Sequence, residues 1–383
     1  MKSIKIKYVA FLSVLLVAGA CHDLDELNIN PNGPAPETTD LNLLLPTAIT
    51  DLGQNVVNMG FGDIAGVMQH TQKNGWSGGH NDYDWNVTSK SWAGLYGVLR
   101  NADEIYNKAV DGGYEFHQGA ALVLKAYAFG LIADLWGDAP YSEALKAQQG
   151  PQFFEPVYDP QQEIYHGILA DLESANTLLS KDASDYKNIA ADQDLLYHGD
   201  PAKWRQFANS LALRYYMRLQ AKEGSFAQAG IEKITSDPAN YPLITSASDD
   251  ANVAYAGTSQ DTSWPTNMVY NIDPLGEYTR RKMCSTLVEA LQALDDPRLG
   301  VWAEKVEIPL VLVTGQGEDI DRIVNGKREI SPDVAQDYID RWSAAGETLE
   351  VDYDQEYVGV PPSTQAAQFY NLTPNLNQGS YNP

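Results

Sequence analysis

Cysteine is nearly missing from this chain, with 2 in 383 residues, Cys21 and Cys284. If Cys21 is consumed by the modification argued below, Cys284 is the only thiol left and no intramolecular disulfide can form. Positive charge is also scarce: 26 Lys and Arg stand against 51 Asp and Glu, for a net charge of −25. Nucleic-acid binding depends on cations that neutralise phosphates, so no nucleic-acid partner is expected, nor electrostatic adhesion to anionic lipid. Near the N-terminus the apolar run Tyr8–Val17 is ten residues long, too short to span a bilayer, which takes ~20. Nucleophile-elbow, Walker and dinucleotide-binding patterns are lacking; Gly315-x-Gly317 is followed by Glu-Asp-Ile and does not qualify. The six histidines include no HExxH pair. An enzyme, a metal or a cofactor is therefore not expected. What the chain does have is 44% hydrophobic residues with 20% charged, the balance of a globular protein, and 22 Tyr with 8 Trp. Their flat rings with polar tips suit sugar or peptide surfaces, although most must serve packing.

Residues 1–20 place Lys2, Lys5 and Lys7 before that apolar run and Ala18-Gly19-Ala20 before Cys21, the layout of a secretory signal peptide. Small residues ahead of a cysteine resemble a bacterial lipobox, with Ala18 where Leu is usual. The expected product carries diacylated Cys21 as its new N-terminus, and two acyl chains suffice for stable anchoring. Residues 21–40, with His22-Asp23-Leu24-Asp25-Glu26 and a Pro/Gly/Asn-rich stretch, are expected to form a lipidated acidic tether. The acidic cluster resembles the surface-export signal of Bacteroidota lipoproteins.

Residues 41–383 are taken as one mainly α domain. Leu41–Gln72 carries one or two helices, interrupted by glycines; Ser91–Val110 sets Trp92, Leu95, Tyr96 and Leu99 on one face. The stretch Gly119–Leu145 is apolar on most of its circumference, which demands burial on most of it. Gly137 and Pro140 end it. Asp159-Pro160 and Asp200-Pro201 each propose an N-cap followed by Pro at the first helical position. The second of these opens a helix with Trp204, Ala208, Leu211, Tyr215 and Leu219 in line. Further helices are expected after Ser225, over Met283–Leu294, where Cys284 is a small core hydrophobe, and from Ser331-Pro332 to Trp342. Antiparallel pairs with short turns suggest tetratricopeptide-like packing with long irregular loops and little β, the exception being a β-like run at Val306–Val313.

Two long loops, Lys73–Lys90 and Asp249–Arg281, are rich in aromatics and are the candidate binding segments. In the first, Trp76, Tyr83 and Trp85 offer stacking platforms and Asn81 and Asp82 hydrogen-bonding partners. In the second, Trp264, Asn267 and Tyr270 offer the same chemistry. Trp92, Tyr96, Trp136 and Trp204 lie on core faces and are assigned to structure. Asp82-x-Asp84 and Asp352-x-Asp354-x-Glu356 lack the glycine and distal glutamate of a calcium loop. Asp134 and Asp138, flanking Trp136, are the one carboxylate pair that invites a glycosidase reading, against which stands the turn role expected of Asp138.

Several motifs in order resemble the SusD/RagB family of outer-membrane nutrient-binding lipoproteins, in the branch called SusD-like family 2. They are Leu27–Pro31 (LNINP), Trp92-x-x-Leu-Tyr96 with Arg100-Asn101-Ala102, Leu135–Leu145 (LWGDAPYSEAL) and Pro156–Leu172. Leu196–Leu219, Asp296-Pro297-Arg298-Leu299 and Tyr357–Ser363 (YVGVPPS) complete the set. The resemblance implies a helical scaffold that captures a glycan or peptide outside the cell and delivers it to a SusC-type TonB-dependent transporter. It also implies further helices beyond residue 365, where this chain has the polar tail YNLTPNLNQGSYNP; the C-terminal part of the family fold is expected to be missing, the alternative being an unusually short member. The rival functions are an all-helical glycoside hydrolase and a helical-repeat scaffold without a small ligand.

Overall fold

A computed structural model describes residues 39–73, 85, 90–264, 269–270, 281–306, 308–315, 319–344 and 353–362. Cys21 and the leader, Trp76, Asn81, Asp82, Tyr83, Asn267, Asp352 and the tail after residue 362 lie outside these residues. The fold is mainly helical, as expected. Its helices are α1 (Leu41–Met59), α2 (Ala93–Gly112), α3 (Glu115–Trp136), α4 (Gln161–Leu178), α5 (Pro201–Leu219), α6 (Gly224–Ser236), α7 (Ser285–Ala293), α8 (Leu299–Trp302) and α9 (Pro332–Ala344). The chain divides into two compact units, one of residues 1–49, 97–133 and 138–251 and the other of 50–96, 134–137 and 252–383.

The first unit is built around α3. Val123, Ala126, Phe129, Ile132 and Ala133 have at most 3% of their surface exposed, so this helix is buried on nearly every side, as its sequence requires. It is long and apolar enough to cross a membrane, yet its composition is equally that of a core helix. α5 packs against both α4 and α6. The α5–α3 contact is close: the Tyr215 hydroxyl donates to the Ala126 carbonyl at 3.1 Å and lies where a Cβ on Gly130 would stand, 2.0 Å away. At the start of α5, Asp200 caps as expected, its Oδ1 accepting from Ala202 N and Lys203 N at 2.9 and 3.3 Å.

The expected cap of α4 is not found. Asp159 turns away from its own helix and accepts from Tyr141 N, Ser142 N and Ser142 Oγ at 2.7–2.9 Å. Asp138 does the capping instead, accepting from Gln161 N at 2.9 Å. The turn after α3, opened by Gly137 at φ +79°, thus exchanges carboxylates with the start of α4, and Ala139 and Asp159 form a β-bridge. Burial alone would raise the Asp159 carboxyl, but hydrogen bonds from Ser142 and Tyr141 outweigh it and hold the group below the usual carboxylate range.

Buried polar groups tie the irregular parts down. Asp194, which the sequence reading passed over, is fully buried and accepts from Leu196 N, Tyr197 N, Gly199 N and the indole of Trp204 at 2.8–3.2 Å. Asn42 donates to Asn188 O at 3.0 Å and accepts from Ala190 N at 3.2 Å. Its Oδ1 also faces His117 Nε2 at 2.9 Å, so Nε2 carries the imidazole proton.

In the second unit, α1 runs on through a π-helical turn, Gly60–Ile64, and one further turn, Ala65–Val67. β1 (Thr71–Lys73) pairs antiparallel with β2 (Arg281–Met283). Cys284 follows β2, fully buried, with its thiol pushed up to about 12 by burial against a hydrogen bond with Gln72; it is an inert core group. Met283, Val288, Leu291 and Leu299 form a small core there. A second sheet has the order β3 (Leu310–Leu312), β5 (Lys327–Ile330), β4 (Asp321–Val324), with β3 parallel and β4 antiparallel to β5. Leu310 and Ile330 pack under Ala335 of α9. The expected strand at Val306–Val313 is therefore real but shorter.

Candidate functional site

Of the expected ligand residues, Trp85, Trp264 and Tyr270 are described, all in the second unit. Trp85 is half-buried, with the Lys90 ammonium 5.3 Å from its ring centroid. Tyr270 is 37% exposed. Among the described residues neither ring touches Trp264. The indole of Trp264 instead meets two rings that the sequence reading left unassigned. Phe61 lies 5.5 Å away at 67° and Tyr255 lies 5.7 Å away at 87°, both edge-on arrangements that aromatic quadrupoles favour. Trp264 is half-buried and Tyr255 is 40% exposed.

Each ring is held from behind. Phe61 sits in the π-helical turn, between Gly60 and Gly62. The Arg281 guanidinium stacks on it at 3.6 Å from the centroid, and Arg281 Nη1 donates to the Phe61 carbonyl. Tyr255 and Trp264 bracket a closed turn in which Gly257 N donates to Thr262 O at 2.9 Å. Inside it the Thr262 hydroxyl accepts from Thr258 N and Ser259 N at 3.2 and 2.9 Å. Ser263 Oγ, buried, donates to Ser259 O at 2.6 Å. The turn is built from its own hydroxyls, and it presents exposed Thr and Ser beside the aromatic pair. Next to Arg281, burial holds the Lys282 ammonium down at about 8, opposed by the Glu304 carboxylate. The sequence signal for Phe61 was its flanking glycines inside an otherwise helical stretch, since such pairs loosen a helical turn.

Rival sites come out differently. Asp138 is engaged by the α4 backbone. Trp204 is fully buried as expected, whereas Trp92, Tyr96 and Trp136 are only half-buried, with Trp92 5.6 Å from Tyr96 and 5.9 Å from Trp136. Asp354 pairs with Lys327 at 3.0 Å and Glu356 with Lys305 at 2.9 Å, and no cluster of three metal-ligating side chains occurs among the described residues.

No curated protein matches the chain. Solved structures do. A SusD homologue from Bacteroides fragilis aligns with TM-score 0.56 at 23% identity, over 71% of this chain and 54% of its own. A SusD/RagB family protein from Bacteroides thetaiotaomicron aligns with TM-score 0.55 at 25% identity, over 76% and 60%. A chitin-binding protein aligns with TM-score 0.59 at 20% identity, over 89% and 63%. The chain thus spans less than two thirds of the length of each. At these identities the likeness is one of fold. Residues 31–322 also match the model of a family described as starch-binding and associating with the outer membrane. The chain therefore belongs to the SusD-like family 2, whose members are associated with the outer membrane.

Proposed function

We propose that this chain is a surface-exposed, lipid-anchored binding protein that captures glycans, or peptides, and hands them to a SusC-type TonB-dependent transporter. Trp264 carries the reading: a half-buried indole, fixed edge-on between Phe61 and Tyr255 and flanked by a hydroxyl-rich turn, is built to stack on a sugar ring while polar neighbours meet its hydroxyls. Trp85 and Tyr270 belong to the same binding role, together with Trp76, Asn81, Asp82, Tyr83 and Asn267. The work done is binding, without bond cleavage, in keeping with the family's description. That description and the chitin-binding structural neighbour make maltoheptaose and chitohexaose the first probes. Wild type should bind at least one of them in calorimetry, and Trp264→Ala should weaken this by about tenfold or more, a loss of one stacked ring at ~1.5 kcal/mol. Undiminished binding by Trp264→Ala, or by Trp85→Ala, would remove that ring from the site; reducing-end release by the wild type would overturn the non-enzymatic reading.

A further inference from the structure

We infer that Arg281 and Phe61 are positioning residues for Trp264, and that the π-helical turn Gly60–Ile64 exists to supply Phe61. The inference rests on Trp264 being a ligand-contacting ring. A π turn adds one residue to a helical turn and rotates everything beyond it by roughly 100° relative to a continuous α-helix. Phe61 lies inside that widened turn, so the widening bears on the direction its ring faces, and the flanking Gly60 and Gly62 lower the resistance to it. Neither glycine is demanded by crowding, because a Cβ on either would meet nothing within 4 Å. Arg281 then grips both ends of the same residue: its guanidinium lies 3.6 Å from the ring centroid, and Nη1 donates to the Phe61 carbonyl.

Arg281 is 3% exposed, so its guanidinium is held against Phe61 and does not sample solvent. Phe61 passes the constraint on, since its ring meets Trp264 at 67° while Tyr255 meets it at 87°. Two steep contacts fix the plane of the indole, so a stacking ligand finds the ring already oriented and less ordering entropy opposes binding.

The test compares Arg281→Lys, Phe61→Leu, Phe61→Tyr and Trp264→Ala. Calorimetry with whichever of maltoheptaose and chitohexaose the wild type binds is paired with the near-UV circular dichroism of the indole, which needs no ligand. Arg281→Lys keeps the charge without the planar fork, and it should cut affinity about tenfold and alter the Trp264 band. Phe61→Leu should do the same, while Phe61→Tyr, which keeps the ring, should bind like wild type. If Arg281→Lys does not fold, the Phe61 pair decides, because it leaves the bond to the backbone carbonyl in place. Loss of binding in Trp264→Ala with unchanged affinity and dichroism in Phe61→Leu overturns the positioning role alone. Unchanged binding in Trp264→Ala overturns the site and the positioning role together.

Discussion

Half-buried Asp171 and fully buried His117 are titrating groups whose effects on stability run in opposite directions. Asp171 on α4 accepts the Tyr141 hydroxyl, and burial raises its carboxyl from 3.8 to about 6 in spite of Lys125 and that hydrogen bond. A raised folded value means that the native state binds the proton more tightly; this contribution is complete below pH 3.8 and is lost as pH rises through 6. His117 behaves oppositely. Burial lowers it from 6.5 to about 4, against the pull of Asp40 and Asp194, so its contribution is complete above pH 6.5 and is lost as pH falls towards 4. In the wild type the two largely offset each other between pH 4 and 6. Asp171→Asn keeps an acceptor for Tyr141 and removes the buried charge. It should therefore raise stability at pH 7.5 by about 1–2 kcal/mol, a figure discounted for solvent screening, and give no gain at pH 4 in urea titrations. With that offset gone, the variant should also lose stability more steeply than wild type as pH falls from 6.5 to 4. An NMR titration should find the His117 ring neutral at pH 5; a charged ring there would contradict the burial argument.

Between elements, the tightest constraint is the α3–α5 contact. A methyl group on Gly130 would stand 2.0 Å from the Tyr215 hydroxyl, so Gly130→Ala should destabilise by about 1–3 kcal/mol through overpacking. Removing the hydroxyl with Tyr215→Phe gives up the bond to Ala126 O, at about 1 kcal/mol, and takes away the nearest clash, leaving the ring carbon Cζ at 2.4 Å. The double-mutant cycle should accordingly show Gly130→Ala costing less in the Tyr215→Phe background, and strict additivity would mean that the helices are not in this contact. This contact also shows how far sequence pattern reaches. The all-round apolar composition of α3 left burial as its only option, and the Asp200-Pro201 pair had one plausible use, so both were legible. The Asp138–Asp159 exchange was not, because a local motif says which residues can cap a helix but not which strand of chain will be near enough to do so. β1 and β2, three residues each, were too short for any periodicity to register. The β4–β5 hairpin was legible and was missed: Asn325-Gly326, with φ of 51° and 74°, is the dipeptide a two-residue hairpin turn prefers. Trp264 was proposed by residue type, whereas Phe61, Tyr255 and Arg281 needed three dimensions to be joined to it.

For the whole molecule, the anchor has its own test. In the proposed anchor a diacylated Cys21 would supply the attachment, and a net charge of −25 offers no electrostatic substitute on anionic lipid, so Cys21→Ala should move the protein from the membrane fraction to the soluble fraction. Unchanged partitioning would sink the lipid-anchor proposal. The β1–β2 ladder sets a different requirement, one of timing. It pairs Thr71 with Met283, and the second unit as a whole gathers 50–96, 134–137 and 252–383, whereas most of the first unit is helices adjacent in sequence. Loop closure over such a separation is slow compared with helix pairing. A chain emerging from its N-terminus during synthesis can condense its helical part while Trp264 and Arg281 are still behind it. On dilution from denaturant, far-UV helicity should consequently return before the near-UV signal of the Trp264–Tyr255 pair. Binding at the proposed site should follow the second signal, so that the aromatic cluster assembles only when residues 255–281 have arrived.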